Sequence, residues 1–441
     1  MRSARMFRPA LAVALAALAA FGTGCLGELR RALDKSTPRE HYEQALEESG
    51  LAGSALARAW RAAALRARDS APPLTAPFLE SGYFPPERPE ARGYRIPLRR
   101  GQRLTATFSL RGALAARIFA DLYEVPAPGD APERLVSADS GESFLEHEAR
   151  RDGAVILLLQ PELLSGGRYE LRVDLGPTLS FPVHGADPDD IRSRFGAERD
   201  AGRRSHEGVD IFAPRGTPVL AAAGGLATWV GDNELGGKVV MVRDRGRNEG
   251  HYYAHLDSQL VSEGTIVDRG DTLGLVGNTG NARTTPPHLH FGIYARGEGA
   301  VDPAPYLVDP DTAPGPVTVD SALIGGWLRT GTRGAPLLPS PGAQDGPAVP
   351  AGTVLRAVAG DGAWYRVELP DGAAGYVHRS RVAAAVPLGS VAPGTPILER
   401  PDSIAAVVDT VRGTARPERL GRFLAFDLVR LADGRAGWVR R

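Results

Sequence analysis

The chain has 441 residues, 43% hydrophobic and 24% charged, which is ordinary for a soluble globular protein and, at roughly 150 residues per domain, predicts about three domains. Its 52 basic and 52 acidic residues balance, which excludes the global charge that draws a protein to nucleic acid or to an anionic membrane. The 53 glycines and 36 prolines favour short strands and many turns, and the single cysteine, Cys25, excludes an internal disulfide.

Residues 1–25 have the pattern of an export signal. Three arginines precede an apolar run over residues 11–21, shorter than the roughly 20 residues that cross a bilayer. Gly22-Thr-Gly-Cys25 follows and resembles the lipobox of bacterial lipoproteins, although that family usually has Leu where Gly22 stands. The resemblance implies a lipid anchor on Cys25 and, because Leu26 rather than Asp follows, an exported periplasmic protein anchored to the outer membrane. The alternative is an ordinary cleaved signal with an incidental cysteine.

Residues 26–75 are predicted to be a helical spacer or docking segment. Apolar residues recur at spacings of three and four between Leu56 and Ala67, which gives one apolar stripe along a helix. Pro72 and Pro73 end that pattern.

Residues 90–184 change to an apolar period of two. Leu104 to Leu110 and Tyr169 to Leu175 alternate with polar neighbours, as half-buried strands do. Val155 to Leu159 is a continuous apolar run, which is typical of a central strand. These segments predict an accessory β-sandwich, and the pattern resembles the sandwich domains found beside secreted peptidases.

Residues 185–310 hold five of the nine histidines. In Pro287-His-Leu-His-Phe-Gly-Ile-Tyr294, a period of two puts His288 and His290 on one strand face and apolar residues on the other. Two imidazoles side by side pack poorly in a core, but they suit a metal.

Two further segments add candidate site residues. His206 and Asp210 share a face of His206-Glu-Gly-Val-Asp210 at a spacing of four, and Gly208 argues for an extended segment or loop rather than a helix. His255 lies in Tyr252-Tyr-Ala-His-Leu256, near an apolar strand where a lone histidine is usually structural.

Taken in order, HxxxD, YAHL and HLHF resemble the motifs of the lysostaphin/LytM-type zinc endopeptidases, over roughly residues 190–307. The resemblance implies an antiparallel β LytM-type peptidase domain at 185–310. It implies one zinc ion bound by His206, Asp210 and His290, with water at the fourth position. His255 and His288 would be catalytic histidines close to the metal but not bound to it. Pro286 departs from the Ser-Thr-Gly that this family often has before the strand, which leaves local substrate contacts open.

Residues 320–441 contain an internal repeat. Each copy has an Asp-Gly hairpin signal and then a Gly-aromatic-Val ending, around Tyr376 and around Trp438. The pattern resembles bacterial SH3-type domains, small β-barrels that bind wall polymers or pack against a catalytic unit. Two SH3-like barrels are therefore predicted at 320–384 and 385–441, with the two aromatic residues either contacting wall polymer or belonging to the barrel cores.

Together these elements predict a mainly β, multidomain protein. The resemblance implies a zinc-dependent endopeptidase that hydrolyses peptide bonds in peptidoglycan stem peptides or cross-bridges during cell-wall remodelling, with peptidoglycan as its partner. Zinc would activate water and polarise the scissile carbonyl. The two catalytic histidines would either stabilise the oxyanion or shuttle protons.

Three alternatives to this reading remain open. The protein is a non-catalytic LytM-type regulator that activates cell-wall amidases, or a scaffold in which the repeats and the sandwich are the working parts. The third alternative is a latent enzyme whose metal cleft is covered by a preceding domain.

Overall fold

The computed structural model describes residues 36–112, 117–126, 130–199, 202–309, 313–412 and 417–441. The predicted export signal and the lipid anchor on Cys25 lie outside these residues. The described chain is mainly β with few helices, and its strands pair into antiparallel sheets, which confirms the predicted fold class. None of the helices in the described ranges combines the length and the apolar character that crossing a membrane requires.

Two helices precede the first sheet: α1, Pro38–Glu48, and α2, Ala55–Asp69. Thr37 caps α1 through a capping box with its third helical residue, which satisfies free amide groups at the helix start. Trp60 of α2 is 1% exposed, and its Nε1 donates a hydrogen bond to the carbonyl of Pro161 over 2.8 Å. In its described part, the predicted helical segment thus consists of two helices, and the apolar stripe of α2 packs on the neighbouring sandwich, which favours docking over a free spacer.

The accessory sandwich has eight strands. One sheet has the order β2-β7-β4-β5, and the facing strands have the order β1-β8-β3-β6. Inward-facing leucines of both sheets are fully buried and form one core. The first strand begins before residue 90, so the sandwich starts earlier than expected. The strands are β1 Phe78–Phe84, β2 Arg92–Leu98, β3 Gln102–Arg111, β4 Ile118–Glu124, β5 Arg134–Ser137, β6 Phe144–Glu148, β7 Gly153–Pro161 and β8 Gly167–Pro177.

The predicted peptidase domain is built on a ten-stranded antiparallel sheet, and its core already includes Leu179 and Val183. Two 3-10 helices, Pro188–Asp190 and Gly280–Ala282, and the short helix α3, Ala304–Leu307, complete it. Its strands are β9 Ile191–Ser193, β10 Glu198–Arg199, β11 Arg204–Ser205, β12 Val209–Phe212, β13 Pro218–Leu220, β14 Gly225–Asn233, β15 Gly237–Asp244, β16 Glu249–Gln259, β17 Ile266–Val267, β18 Thr272–Val276, β19 His288–Ala295 and β20 Gly299–Val301.

The central path of this sheet has the order β17-β14-β15-β16-β19-β12-β9. The short pair β10 and β11 lies outside it as a separate hairpin. Strand β19, which carries the HLHF motif, is therefore flanked by β16 with the YAHL motif and by β12 with the end of the HxxxD motif. Segments far apart in the sequence meet at the middle of one sheet.

The C-terminal region forms two β units. The first contains 3-10 helices Ser321–Leu323 and Arg379–Arg381, and strands β21 Trp327–Thr330, β22 Ala335–Pro336, β23 Ala348–Val349, β24 Val354–Asp361, β25 Trp364–Glu368, β26 Ala374–His378 and β27 Val382–Ala384. The second contains β28 Pro396–Leu398, β29 Val407–Thr410, β30 Glu418–Phe423, β31 Phe426–Arg430 and β32 Ala436–Arg440. Their identity as SH3-like barrels stays a prediction.

The first C-terminal unit is not separate from the sandwich. Strand β24 pairs antiparallel with β1, with Glu80 opposite Asp361, so both regions share one nine-stranded sheet. Tyr376 and Trp438 are only 3% and 5% exposed. Both aromatic residues therefore belong to the interior, the second of the two roles expected for them.

The sandwich contacts the predicted peptidase domain at the turn between β15 and β16. Arg100 donates hydrogen bonds to Glu249 over 3.1 Å and to the hydroxyl of Tyr306 over 3.0 Å. Arg247 forms an ion pair with Glu148 over 2.7 Å. These contacts lie at the beginning of β16, several residues before the YAHL motif.

Candidate metal centre

Three neighbouring strands, β12, β16 and β19, carry four of the five predicted site residues, and His206 lies just before β12. In the register of the sheet, His290 of β19 lies opposite Asp210 of β12 on one side and opposite Ala254 of β16 on the other. Leu289 and Phe291 are fully buried in the core. His288 and His290 therefore share the opposite face, as the alternation in the sequence predicts.

His206, Asp210 and His290 converge on one point. His206 Nε2, Asp210 Oδ1 and His290 Nδ1 lie 3.0 Å from one another in all three pairs. Ligand atoms at 2.0–2.1 Å from a tetrahedral zinc ion are separated by about 3.3 Å. The triangle of donor atoms therefore has nearly the size that a single zinc ion requires, and the three side chains fit a metal.

Two of these donor residues, His206 and Asp210, are oriented by a second contact. His206 Nδ1 lies 2.9 Å from the carbonyl oxygen of Arg194, to which it donates a hydrogen bond, so the lone pair of Nε2 points at the site. Asp210 Oδ2 accepts a hydrogen bond from Arg199 over 2.8 Å. Burial raises the pKa of Asp210, but the neighbouring His206 and His290 outweigh it and hold that pKa well below its usual range. The carboxylate is therefore ionised and ready to bind a cation.

His255 and His288 lie beside this triangle. Their ring centroids are 5.0 Å apart, and the His255 ring is 5.9 Å from that of His290. His255 Nδ1 lies 2.9 Å from the carbonyl oxygen of Thr279, and His288 Nδ1 lies 2.9 Å from that of Pro286. A carbonyl accepts but cannot donate, so each Nδ1 carries the proton and each Nε2 keeps its lone pair.

His255 is neutral at pH 7 and has an unusual backbone conformation. Burial, with the nearby His288 and His290, lowers the pKa of His255 to about 4. Its φ of 63° lies in the left-handed region, at a point where the pairing of β15 with β16 shifts register. Its backbone N–H donates to the carbonyl of Gly236 over 2.7 Å. The irregular backbone turns the His255 side chain into the site, as bulges beside active sites often do.

Gly208, between His206 and Asp210, is required by close packing. A Cβ atom there would lie 2.4 Å from the carbonyl oxygen of Phe291 and 2.8 Å from His290 Cε1. The sequence offered this glycine only as an argument against a helix. Its position inside the HxxxD motif is the signal from which a close approach to the HLHF strand could have been inferred.

The five predicted site residues line a cleft of about 470 Å³. All of its lining residues fall between Ser193 and Tyr294. Within the described ranges, neither the sandwich nor the C-terminal units contribute to the cleft. The cleft wall also contains Arg199, Glu207, Tyr252 and Tyr294, to which the sequence analysis assigned no role. The last three lie within the segments that carry the motifs, whereas Arg199 lies outside them.

His251, which precedes His255 by four residues, does not join the site. It is fully buried beside Phe291, with ring centroids 5.9 Å apart, and it does not line the cleft. Burial lowers the pKa of His251 to about 4, so it is a neutral core residue at pH 7.

The three side chains could hold a metal ion, with two imidazoles and one carboxylate as donors. A set of three protein ligands leaves coordination positions open, which is the arrangement of catalytic rather than structural zinc sites. Residues 204–303 match the family model described as Peptidase family M23. The chain therefore contains a peptidase M23 domain, and all three candidate metal ligands lie within it.

Similar proteins extend this finding. The chain is 39% identical over 146 residues to an L-Ala–D-Glu endopeptidase of Bacillus subtilis, a match that covers 31% of the chain and 44% of that relative. It is 38% identical over 92 residues to the peptidoglycan DD-endopeptidase ShyA of Vibrio cholerae, covering 21% of each. The chain thus spans less than half the length of these relatives.

Among solved structures, the catalytic domain of the antimicrobial peptidase lysostaphin from Staphylococcus simulans is 30% identical. That match covers 26% of this chain and 88% of the lysostaphin domain, with a TM-score of 0.24.

Proposed function

We propose that this protein is a zinc-dependent endopeptidase that hydrolyses peptide bonds in the stem peptides or cross-bridges of peptidoglycan. The observation that carries the proposal is the triangle of His206 Nε2, Asp210 Oδ1 and His290 Nδ1 inside the M23 domain. Two imidazoles and one carboxylate suit zinc, whereas magnesium and calcium prefer oxygen ligands alone. The names of the endopeptidase relatives support a peptide substrate in the cell wall.

The proposed mechanism assigns the triangle to the metal and the two other histidines to proton transfer. A zinc ion held by His206, Asp210 and His290 would supply an activated water and polarise the scissile carbonyl. His255 is neutral, and its protonated Nδ1 is held by the carbonyl of Thr279, so Nε2 is the atom that accepts a proton. His288 has the same arrangement with the carbonyl of Pro286. A proton accepted at either Nε2 is returned to the leaving amine, as general base and acid catalysis requires.

The N-terminal sequence supports a cellular location for the enzyme in this proposal. An export signal over residues 1–25 and lipidation at Cys25 would anchor the protein to the outer membrane from the periplasmic side, where its substrate lies. In this proposal, the C-terminal β units act as SH3-like modules that hold the catalytic domain near the wall, by packing or by contacts outside their buried aromatic residues.

Digestion of isolated sacculi tests the activity. Full-length mature protein loaded with zinc should release new amino groups and altered muropeptides, measured by amine labelling and by mass spectrometry. The variant His206→Ala should release no more than a blank, whereas His378→Ala, changed in the C-terminal unit far from the cleft, should match the wild type.

The same measurements distinguish the proposed endopeptidase from the main alternative, a non-catalytic regulator. Equal amine release by the wild type and His206→Ala would refute the endopeptidase. Wild-type protein that carries no stoichiometric zinc, releases no amines and stimulates a separate wall amidase would establish the non-catalytic regulator instead.

A further inference from the structure

Asp210 uses its two carboxylate oxygens for different purposes. Oδ1 is the oxygen that lies 3.0 Å from both imidazole ligands, His206 and His290. Oδ2 points the other way and accepts a hydrogen bond from Arg199 Nη2 over 2.8 Å. The Asp210 side chain is 11% exposed and that of Arg199 is 31% exposed, so the carboxylate is largely shielded from solvent whereas the arginine is partly open to it.

Arg199 is held in place by a second contact that leads to another ligand. Its Nη2 also donates to the hydroxyl of Ser193 over 2.5 Å. Ser193 stands opposite Asp210 in the pairing of β9 with β12, and its hydroxyl lies 3.3 Å from His206 Nδ1. One guanidinium group therefore reaches two of the three metal ligands, one directly and one through Ser193.

We infer that Arg199 is a positioning residue of the metal centre. Its hydrogen bond fixes the rotation of the Asp210 carboxylate, so that Oδ1 alone faces the metal and Oδ2 is kept from it. Charge-assisted hydrogen bonds are short and directional, and partners of this kind orient the ligands of metal sites. The inference rests on the proposed metal site and adds a residue outside the HxxxD, YAHL and HLHF motifs.

The positive charge of Arg199 has an opposite effect that must be weighed against orientation. A guanidinium beside the carboxylate weakens the attraction of that carboxylate for a cation, so removing it would raise metal affinity if charge dominated. Loss of an outer hydrogen-bonding partner typically lowers metal affinity by about 10- to 100-fold. Because Asp210 is buried and must present a single oxygen, we expect the orientation of its carboxylate to outweigh the repulsion between Arg199 and the metal ion.

Zinc affinity, measured by competition with a chelator of known affinity, tests the inference without relying on catalysis. Arg199→Ala should bind zinc about 10- to 100-fold more weakly than the wild type. Arg199→Lys, which keeps one donor and the charge, should fall between them. Adding methylguanidinium at millimolar concentration should restore part of the affinity of Arg199→Ala. The control Arg203→Ala changes an exposed arginine of the same hairpin that does not line the cleft, and it should bind zinc as the wild type does.

The outcomes separate this inference from the proposed function. Wild-type protein that binds no zinc overturns both. Wild-type protein that binds zinc, with Arg199→Ala binding equally well or more tightly, overturns the role of Arg199 and leaves the metal site standing. If Arg199→Ala fails to fold, as judged by circular dichroism of the metal-free protein, Arg199→Lys decides, and wild-type zinc affinity in that variant refutes the inference.

Discussion

Adding a single methyl group at Gly208 should dismantle the metal site. In Gly208→Ala, the new Cβ would lie 2.4 Å from the backbone carbonyl oxygen of Phe291 and 2.8 Å from His290 Cε1. Ordinary van der Waals contact begins near 3.4 Å, so β12 and β19 must separate by about 1 Å. Metal ligands tolerate displacements of only about 0.2 Å. The variant should therefore lose high-affinity zinc binding.

The same substitution should also lower stability. Overpacking of a well-packed interior typically costs about 1–3 kcal/mol, and here one of the crowded atoms belongs to the backbone, which cannot rotate away. Denaturant unfolding of the metal-free protein gives that cost, and chelator competition gives the affinity for zinc.

Substitution of a second glycine serves as the control that distinguishes steric crowding at Gly208 from the general effect of replacing a glycine. A Cβ at Gly224, in the same domain, would meet its nearest atom at 3.5 Å, an ordinary contact. Gly224→Ala should keep zinc affinity and lose little stability. Wild-type zinc affinity in Gly208→Ala would refute the argument that the close approach of these two strands sets the ligand geometry.

Three further predictions concern different parts of the molecule. His255→Asn, with a side chain that tolerates the left-handed φ of this position, should keep zinc but lower kcat by about 10²- to 10⁴-fold, whereas His290→Asn should lose the metal. Burial and the charge of Glu80 raise the pKa of Asp361 to about 6. The folded form then holds this proton more tightly than the unfolded chain, so wild-type stability should fall as the pH rises from about 4 to 6, and Asp361→Asn should lessen that fall. Trp60→Ala should destabilise the sandwich by about 3–5 kcal/mol, because the side chain is 1% exposed.

Each of these has a decisive contrary result. Zinc loss in His255→Asn would make that residue a ligand rather than a proton acceptor. An identical dependence of unfolding free energy on pH in Asp361→Asn, read from urea titrations, would show that another group titrates. Unchanged denaturant unfolding in Trp60→Ala would mean that the two N-terminal helices are a detached spacer after all.

The strand faces that carry the candidate ligands could be predicted from the sequence, because the spacing of these residues carries a physical meaning. The alternation around His288 and His290 specifies a strand with one polar face, and β19 has that face. His206 and Asp210 follow from a spacing that is readable without coordinates. Which of the histidines would gather at one point depended on the family resemblance, since spacing alone cannot bring three distant segments into one sheet.

What escaped prediction depends on contacts between segments or on backbone irregularity. The left-handed φ of His255 arises from a register shift between β15 and β16, and no residue type at that position signals it. Arg199 is one of many arginines, and only the fold brings it to Asp210. The pairing of β1 with β24 joins regions more than 250 residues apart in sequence. The sandwich and the first repeat, which were expected to be separate domains, therefore share one sheet.

The position of the accessory sandwich bears on whether the cleft is covered. The sandwich contacts the domain at Glu249, whereas His255 lies six residues further along the same strand, β16. At about 3.3 Å per residue, that separation is about 20 Å. The sandwich is therefore attached at the end of β16 away from the site, and the described residues that line the cleft fall between Ser193 and Tyr294. In this arrangement, none of the described residues of the sandwich, or of the C-terminal unit that shares its sheet, lines the cleft.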